Sequence, residues 1–105
     1  MEKFVEQTLL FDFYGELLTE HQKKVYEDVV FGDLSYTEAA QEHSISRQGI
    51  HDLIKRCNKT LEGYEEKLHL VRKFLVIREQ VTEIRKRADE PEKIKTIADK
   101  ILEEL

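Results

Sequence analysis

Apolar residues recur along this chain at spacings of three and four, the period of a helix with one buried face. Phe4, Val5, Leu9 and Phe13 mark a first helix over about residues 3–14 and nominate its buried face, with Gly15 as the stop. Thr19 and Gln22 have the form of a capping box, in which each side chain satisfies the other's free backbone N–H. They open a second helix whose buried stripe is Val25, Val29 and Val30, and Gly32 is placed to end it in a left-handed conformation. Ser35 and Glu38 form a second capping box, starting a short third helix through about Glu42. The segment HSIS, residues 43–46, then turns the chain, and Ser46 caps a fourth helix.

From Ser46 to about Ala88 the pattern reads as one very long helix, or as two with a break near Gly63. Ile50, Leu53, Cys57, Leu61, Tyr64, Leu68, Val71 and Leu75 form one apolar series; Leu70, Phe74, Ile77, Val81, Ile84 and Ala88 form another. They overlap in LHLVRKFLVI, residues 68–77, which needs cover on more than one side. Forty-odd helical residues would extend about 60 Å, far beyond the radius of gyration of about 13 Å of a compact chain this size. Cover comes either from a second copy, with Leu68, Val71, Phe74, Leu75, Ile77, Val81 and Ile84 at the dimer interface, or from folding back at Gly63. Asp89 with Glu92 is placed to cap a last helix with Pro91 in its first turn. Its stripe is Ile94, Ile97, Ala98, Ile101, Leu102 and Leu105.

The expected fold is therefore all-α, and one proline and four glycines in 105 residues leave little material for the turns of a β fold. Residues 1–60 hold the N-terminal helices and a helix-turn-helix, and residues 61–105 a helical extension of the same structural unit. Two features place the chain in the cytoplasm: MEKFVEQTLL lacks the basic and apolar regions of a secretory signal, and Cys57 is a lone cysteine. No window is long and apolar enough to span a membrane.

Charge is unevenly distributed. The formal net charge is -5, and residues 1–33 alone carry -5, against +1 for residues 34–60 and -1 for residues 61–105. Any contact with a polyanion must then be local. The helix-turn-helix pattern lies in the positive segment, LSYTEAAQEHSISRQGIHDLIKR. Small Ala39 and Ala40 suit the close crossing of its two helices, and Ile45, Ile50 and Leu53 lock the second beneath the first. Ser44 stands where glycine is usual, and His43 where an apolar residue is usual. By subtraction, Ser46, Arg47, Gln48, His51, Asp52 and Lys55 face outwards. Gln pairs bidentately with adenine and Arg with guanine or a phosphate, while His donates to acceptors. Tyr36 and Thr37 begin the preceding helix, where hydroxyls and free N–H groups suit a phosphate. Asp52 opposes an anion, or pairs with Arg56 four residues on.

The stretch from LTEHQ to DLIKR is similar to the promoter-reading helix-turn-helix of bacterial sigma factors, a likeness that puts Ser46, Arg47, Gln48, His51 and Lys55 at the duplex. Residues 10–60, from FDFYGELLTEHQ onward, more closely resemble the YlxM family of small bacterial proteins. That resemblance implies a DNA-binding regulatory protein linked to the signal recognition particle pathway, since the family's gene lies beside those of the particle's GTPases. The sequence gives no sign of a cofactor or of catalysis: it has neither a glycine-rich phosphate loop nor a nucleophile elbow. His21, His43, His51, His69 and Cys57 lack zinc-finger spacing. Two functions remain, a homodimeric DNA-binding regulator or a module that docks protein or RNA of the particle pathway.

Overall fold

The computed structural model describes residues 2–105 and, among them, six α-helices and no strand. They are α1 (Lys3–Tyr14), α2 (Glu20–Tyr26), α3 (Tyr36–His43), α4 (Arg47–Leu68), α5 (Leu70–Lys86) and α6 (Pro91–Glu104). The chain divides into two compact units, residues 1–67 and 68–105.

In the first unit both capping boxes form as expected. Thr19 Oγ1 accepts from Gln22 N at 3.2 Å and Ser35 Oγ from Glu38 N at 3.0 Å, each with the reciprocal bond in place. The bonds from Ser35 hold the Glu38 carboxyl below its ordinary range. Beyond α2 the chain continues as one wide π-helical turn, Glu27–Phe31, closed by Gly32 N donating to Glu27 O at 2.8 Å. Gly32 itself has φ −92°; the left-handed residue is Asp33, with φ 60°. Gly32 is needed for room instead, since a Cβ there would lie 2.8 Å from Asp28 O.

The buried face of α1 differs from the one its apolar spacing nominates. Leu10 and Tyr14 are buried, whereas Phe4, Val5 and Phe13 are exposed. Polar atoms choose that face. Gln7 Nε2 donates to Asn58 Oδ1 at 3.3 Å, and Tyr14 Oη donates to Glu65 Oε1 at 2.5 Å. Both partners lie 51 residues further on, so α1 runs parallel to the second half of α4. Tyr26 Oη also donates to Asn58 Oδ1, at 2.6 Å. Burial pushes the Tyr26 phenol up to about 12. Its ring stacks on Phe11, with centroids 5.4 Å apart. Along α2, Val25 is buried as expected, but Val29 and Val30 are only half-buried.

α4 passes through Gly63 unbroken. The interruption comes at His69, whose φ of 57° ends the helix, so the expected break at Gly63 is displaced and the run to Ala88 is not continuous. A glycine inside a helix costs only about 1 kcal/mol, too little to end it. The buried stripe of α4 is Ile50, Ile54, Cys57 and Leu61, so Ile54 takes the place expected of Leu53, which is half-buried. Steps of four, three and four keep these residues within one arc of a 3.6-residue period. Burial pushes the Cys57 thiol up.

In the second unit α5 and α6 pack as an antiparallel pair. Arg72 near the start of α5 meets Glu104 near the end of α6 at 3.5 Å. The connecting turn is pinned by Arg87, paired with Glu83 at 3.5 Å and Glu90 at 3.3 Å. Lys93 and Arg87 hold the Glu90 carboxyl below its ordinary range. Pro91 opens α6, but Glu90 rather than Asp89 occupies the cap, without a side-chain cap bond, so the Asp89–Glu92 box does not form. Ile97 is buried, Ile94, Ala98 and Ile101 are half-buried, and Leu102 and Leu105 are exposed.

His43 and Asp28 tie α3 to the π-turn: His43 Nε2 donates to Asp28 Oδ2 at 2.8 Å, with both side chains nearly covered. Lys24 Nζ adds a bond at 3.1 Å. The His43 bond, ahead of Lys24, holds Asp28 below the usual carboxylate range. A lowered folded value means that folding favours the ionised form. That contribution is complete above the ordinary carboxylate value of about 3.9 and is lost as pH falls through the folded value. Asp28→Asn is expected to cost about 1 kcal/mol at neutral pH, the worth of one hydrogen bond. The gap to the unmodified protein should close as pH drops below about 4; urea titrations across pH measure it, and a gap that stays constant would contradict the assignment. Ser44 in the turn has φ 56°. The left-handed conformation costs a side chain about 1–2 kcal/mol, partly offset by the roughly 0.5–1 kcal/mol by which glycine's freedom favours the unfolded chain. Ser44→Gly should therefore raise stability by about 0.5 kcal/mol in the same titration.

Candidate nucleic-acid interface

α3 and α4, joined by the turn at Ser44 and Ile45, form the helix-turn-helix. Ala39 is fully buried and Ala40 half-buried, so the small residue at the close crossing is chiefly Ala39. Ile50 is fully buried and Ile45 half-buried. His43 fills its expected apolar place by bonding Asp28, which satisfies a polar ring where an alkyl group would simply pack.

The frame of the second helix is set at its first turn. Ser46 Oγ accepts from Gly49 N at 2.9 Å, and Ile50 N donates to Ser46 O at 3.0 Å, so Ser46 is the N-cap. Gly49 allows this. A Cβ on residue 49 would meet Ser46 Oγ at 3.0 Å, tighter than an ordinary contact. With Ile50 facing inwards, Arg47, Gln48, His51 and Lys55 are all exposed.

Four of the seven nominated residues come together: Tyr36, Arg47, Gln48 and His51 line one open cleft. The Tyr36 and His51 rings meet edge to face at 5.9 Å, joining the first turn of α3 to the first turns of α4. Thr37 lies beside them in sequence and is exposed. Ser46 sits at the cap, its oxygen engaged but its hydroxyl hydrogen still able to donate. Lys55 lines a different depression further along α4, with Asp52, Arg56 and Lys59. Asp52 turns towards the cleft residues and not towards Arg56. It accepts from Gln48 Nε2 at 3.0 Å and lies 3.6 Å from His51 Nδ1. One amide hydrogen of Gln48 and its oxygen remain available.

The residues nominated for a dimer interface are spread across burial classes. Val71 is buried; Leu75, Ile77 and Ile84 are half-buried; Leu68, Phe74 and Val81 are exposed. Among the described residues, no three of the His, Cys, Asp and Glu side chains are grouped to hold a metal ion. No helix among them is long and apolar enough to cross a membrane. Sequence reasoning gave Arg56 only as a pairing partner for Asp52 and did not nominate Lys59, though both are surface cations beside Lys55. Their signal was the spacing of Lys55 and Lys59, one turn apart on the helix.

A UPF0122 protein of Clostridium perfringens (strain 13 / Type A) is 42% identical over 109 residues, covering 100% of this chain and 97% of its own length. One of Caldanaerobacter subterraneus subsp. tengcongensis is 42% identical over 84 residues, covering 80% of this chain and 72% of the relative. One of Clostridium novyi (strain NT) is 51% identical over 73 residues, covering 70% and 64%. The family model described as "Putative helix-turn-helix protein, YlxM / p13 like" matches residues 1–101. The chain thus belongs to the UPF0122 family of YlxM/p13-like helix-turn-helix proteins.

Proposed function

We propose that this protein is a cytoplasmic DNA-binding regulator that acts as a homodimer, with a link to the signal recognition particle pathway that rests on its family. The observation that carries the DNA reading is the open cleft of Tyr36, Arg47, Gln48 and His51 at the capped start of α4. Recognition helices present their N-terminal residues to base edges in the major groove. Arg47 then reads guanine or grips a phosphate, and Gln48 reads adenine through its oxygen and remaining amide hydrogen. Tyr36, Thr37 and Ser46 offer hydroxyls, and the first turn of α3 free N–H groups, to the adjoining phosphates. Lys55 adds a cation one turn beyond His51. The exposed Leu68, Val81, Leu102 and Leu105 of the second unit support a self-association surface. A two-fold dimer would set two copies of α4 in successive grooves, about 34 Å apart.

A second reading is favoured by one specific feature. Asp52 engages Gln48 and His51, and the N-terminal third is acidic. Both suit a module that docks protein or RNA of the particle pathway without binding DNA.

Fluorescence anisotropy on labelled mixed-sequence duplexes separates these readings. The DNA reading expects log affinity to fall with log salt at a slope of about −0.9 per phosphate contact. Arg47→Ala should weaken binding by about tenfold, the loss of roughly 1.4 kcal/mol. Asp52→Asn should strengthen it by about fivefold, because one repulsion of about 1 kcal/mol is removed. Folded protein that ignores duplex DNA even at low salt would overturn this reading. For the dimer, sedimentation equilibrium should show Val81→Asp shifting the mass to a monomer; an unchanged mass would remove α5 from the interface.

A further inference from the structure

The cations of residues 34–60 are Arg47, Lys55, Arg56 and Lys59. Among the described residues all four are exposed and lack a carboxylate partner. Cations without an acid partner occur elsewhere too, among them Arg78 and Lys95, but Lys55, Arg56 and Lys59 stand together within five residues of one helix. The one acid in residues 47–60, Asp52, is drawn to Gln48 and His51, which leaves Arg56 uncompensated. Lys55, Arg56 and Lys59 share a single depression with Asp52. The charge then reverses, because the next turns carry exposed Glu62 and Glu66, and Glu65, which accepts from Tyr14.

Distance gives this arrangement a meaning. Lys59 follows Arg47 by 12 residues, about 18 Å along the axis at 1.5 Å per residue. The major groove of B-DNA is only about 12 Å wide. A helix whose first turn touches base edges has therefore left the groove by Arg56 and Lys59, where the phosphates of the bounding strand lie. Glu62 and Glu66 fall beyond that strand, where a cation would gain nothing and an anion costs little.

We infer that Arg56 and Lys59, with Lys55, form a second phosphate site that grips the strand bordering the groove, so α4 holds a duplex by both of its edges. This assignment rests on the DNA reading and extends it. The grip supplies affinity and duplex preference, and the first turn of α4 supplies sequence preference. Single strands of the same sequence present only one backbone and engage one site at a time.

The test uses the full chain and fluorescein-labelled mixed-sequence duplexes, with the corresponding single strands as a second probe. Arg56→Ala/Lys59→Ala should lower the magnitude of the salt slope by about 1.8. The loss of affinity between 50 and 200 mM salt is then about tenfold smaller than for the unmodified protein. Preference among duplex sequences should persist, and the preference for duplex over single strand should fall. Arg56→Lys/Lys59→Arg should restore the slope, separating a charge effect from damage to the fold. An unmodified protein that binds duplex while the alanine variant keeps its slope would overturn the second site and leave the DNA reading standing. An unmodified, folded protein that binds no duplex would overturn both.

Discussion

A single carbonyl oxygen, Asn58 Oδ1, holds the first unit together. It accepts from Tyr26 of α2 and from Gln7 of α1, joining three helices at one point. Each donor is partly covered, so an unmet bond would cost about 1–3 kcal/mol, more than an average contact contributes. The bond from Tyr14 to Glu65, one helical span further on, fixes the direction of α1 against α4. Two polar bonds at the same sequence offset set a register that apolar packing alone leaves free to slide.

That register decides which part of α4 is available. Its second half is taken by α1, and its first half meets α3 where the Tyr36 and His51 rings lie 5.9 Å apart. The remaining arc carries Arg47, Gln48, His51, Lys55 and Lys59, all exposed. Held on a helix packed within the first unit, these side chains start from an ordered backbone, so in the proposed role little backbone ordering opposes binding. The uneven charge supports the same division of labour. Acidic residues 1–33 carry the packing helices, and the only positive segment carries the exposed arc.

Much of this was legible in the residues. The helix starts at Thr19, Ser35 and Ser46 and the outward set on α4 follow from local chemistry, because caps and turns are decided within a few residues. The face of α1 was not legible. Counting Phe4, Val5, Leu9 and Phe13 as the core treats Gln7 and Tyr14 as surface, yet these are the residues whose polar atoms find partners 51 positions away. Leu53 and Ile54 are adjacent and both apolar, so periodicity admits either, and the fold buries Ile54. The break at His69 was hidden for a related reason. No glycine or proline announces it, and a left-handed histidine is a cost that only the surrounding structure can make worthwhile. For the candidate site, five of the seven nominated residues follow by subtraction and Tyr36 and Thr37 from their place at the start of α3, but the freedom of Arg56 depends on where Asp52 turns, which is a matter of rotamers.

Among the described residues, the four glycines and the three left-handed positions do not coincide: Asp33, Ser44 and His69 take positive φ, and no glycine does. At Gly15, Gly32 and Gly49 glycine instead leaves room, while Gly63 faces open space. At position 49 the vacant volume is what lets a serine hydroxyl sit over the mouth of the helix, and that seat sets the angle at which Arg47 and Gln48 leave the backbone. The setting of the exposed pair thus depends on a missing carbon atom, and in the proposed DNA-binding role a larger residue at this position would change sequence preference while leaving Arg47 and Gln48 in place.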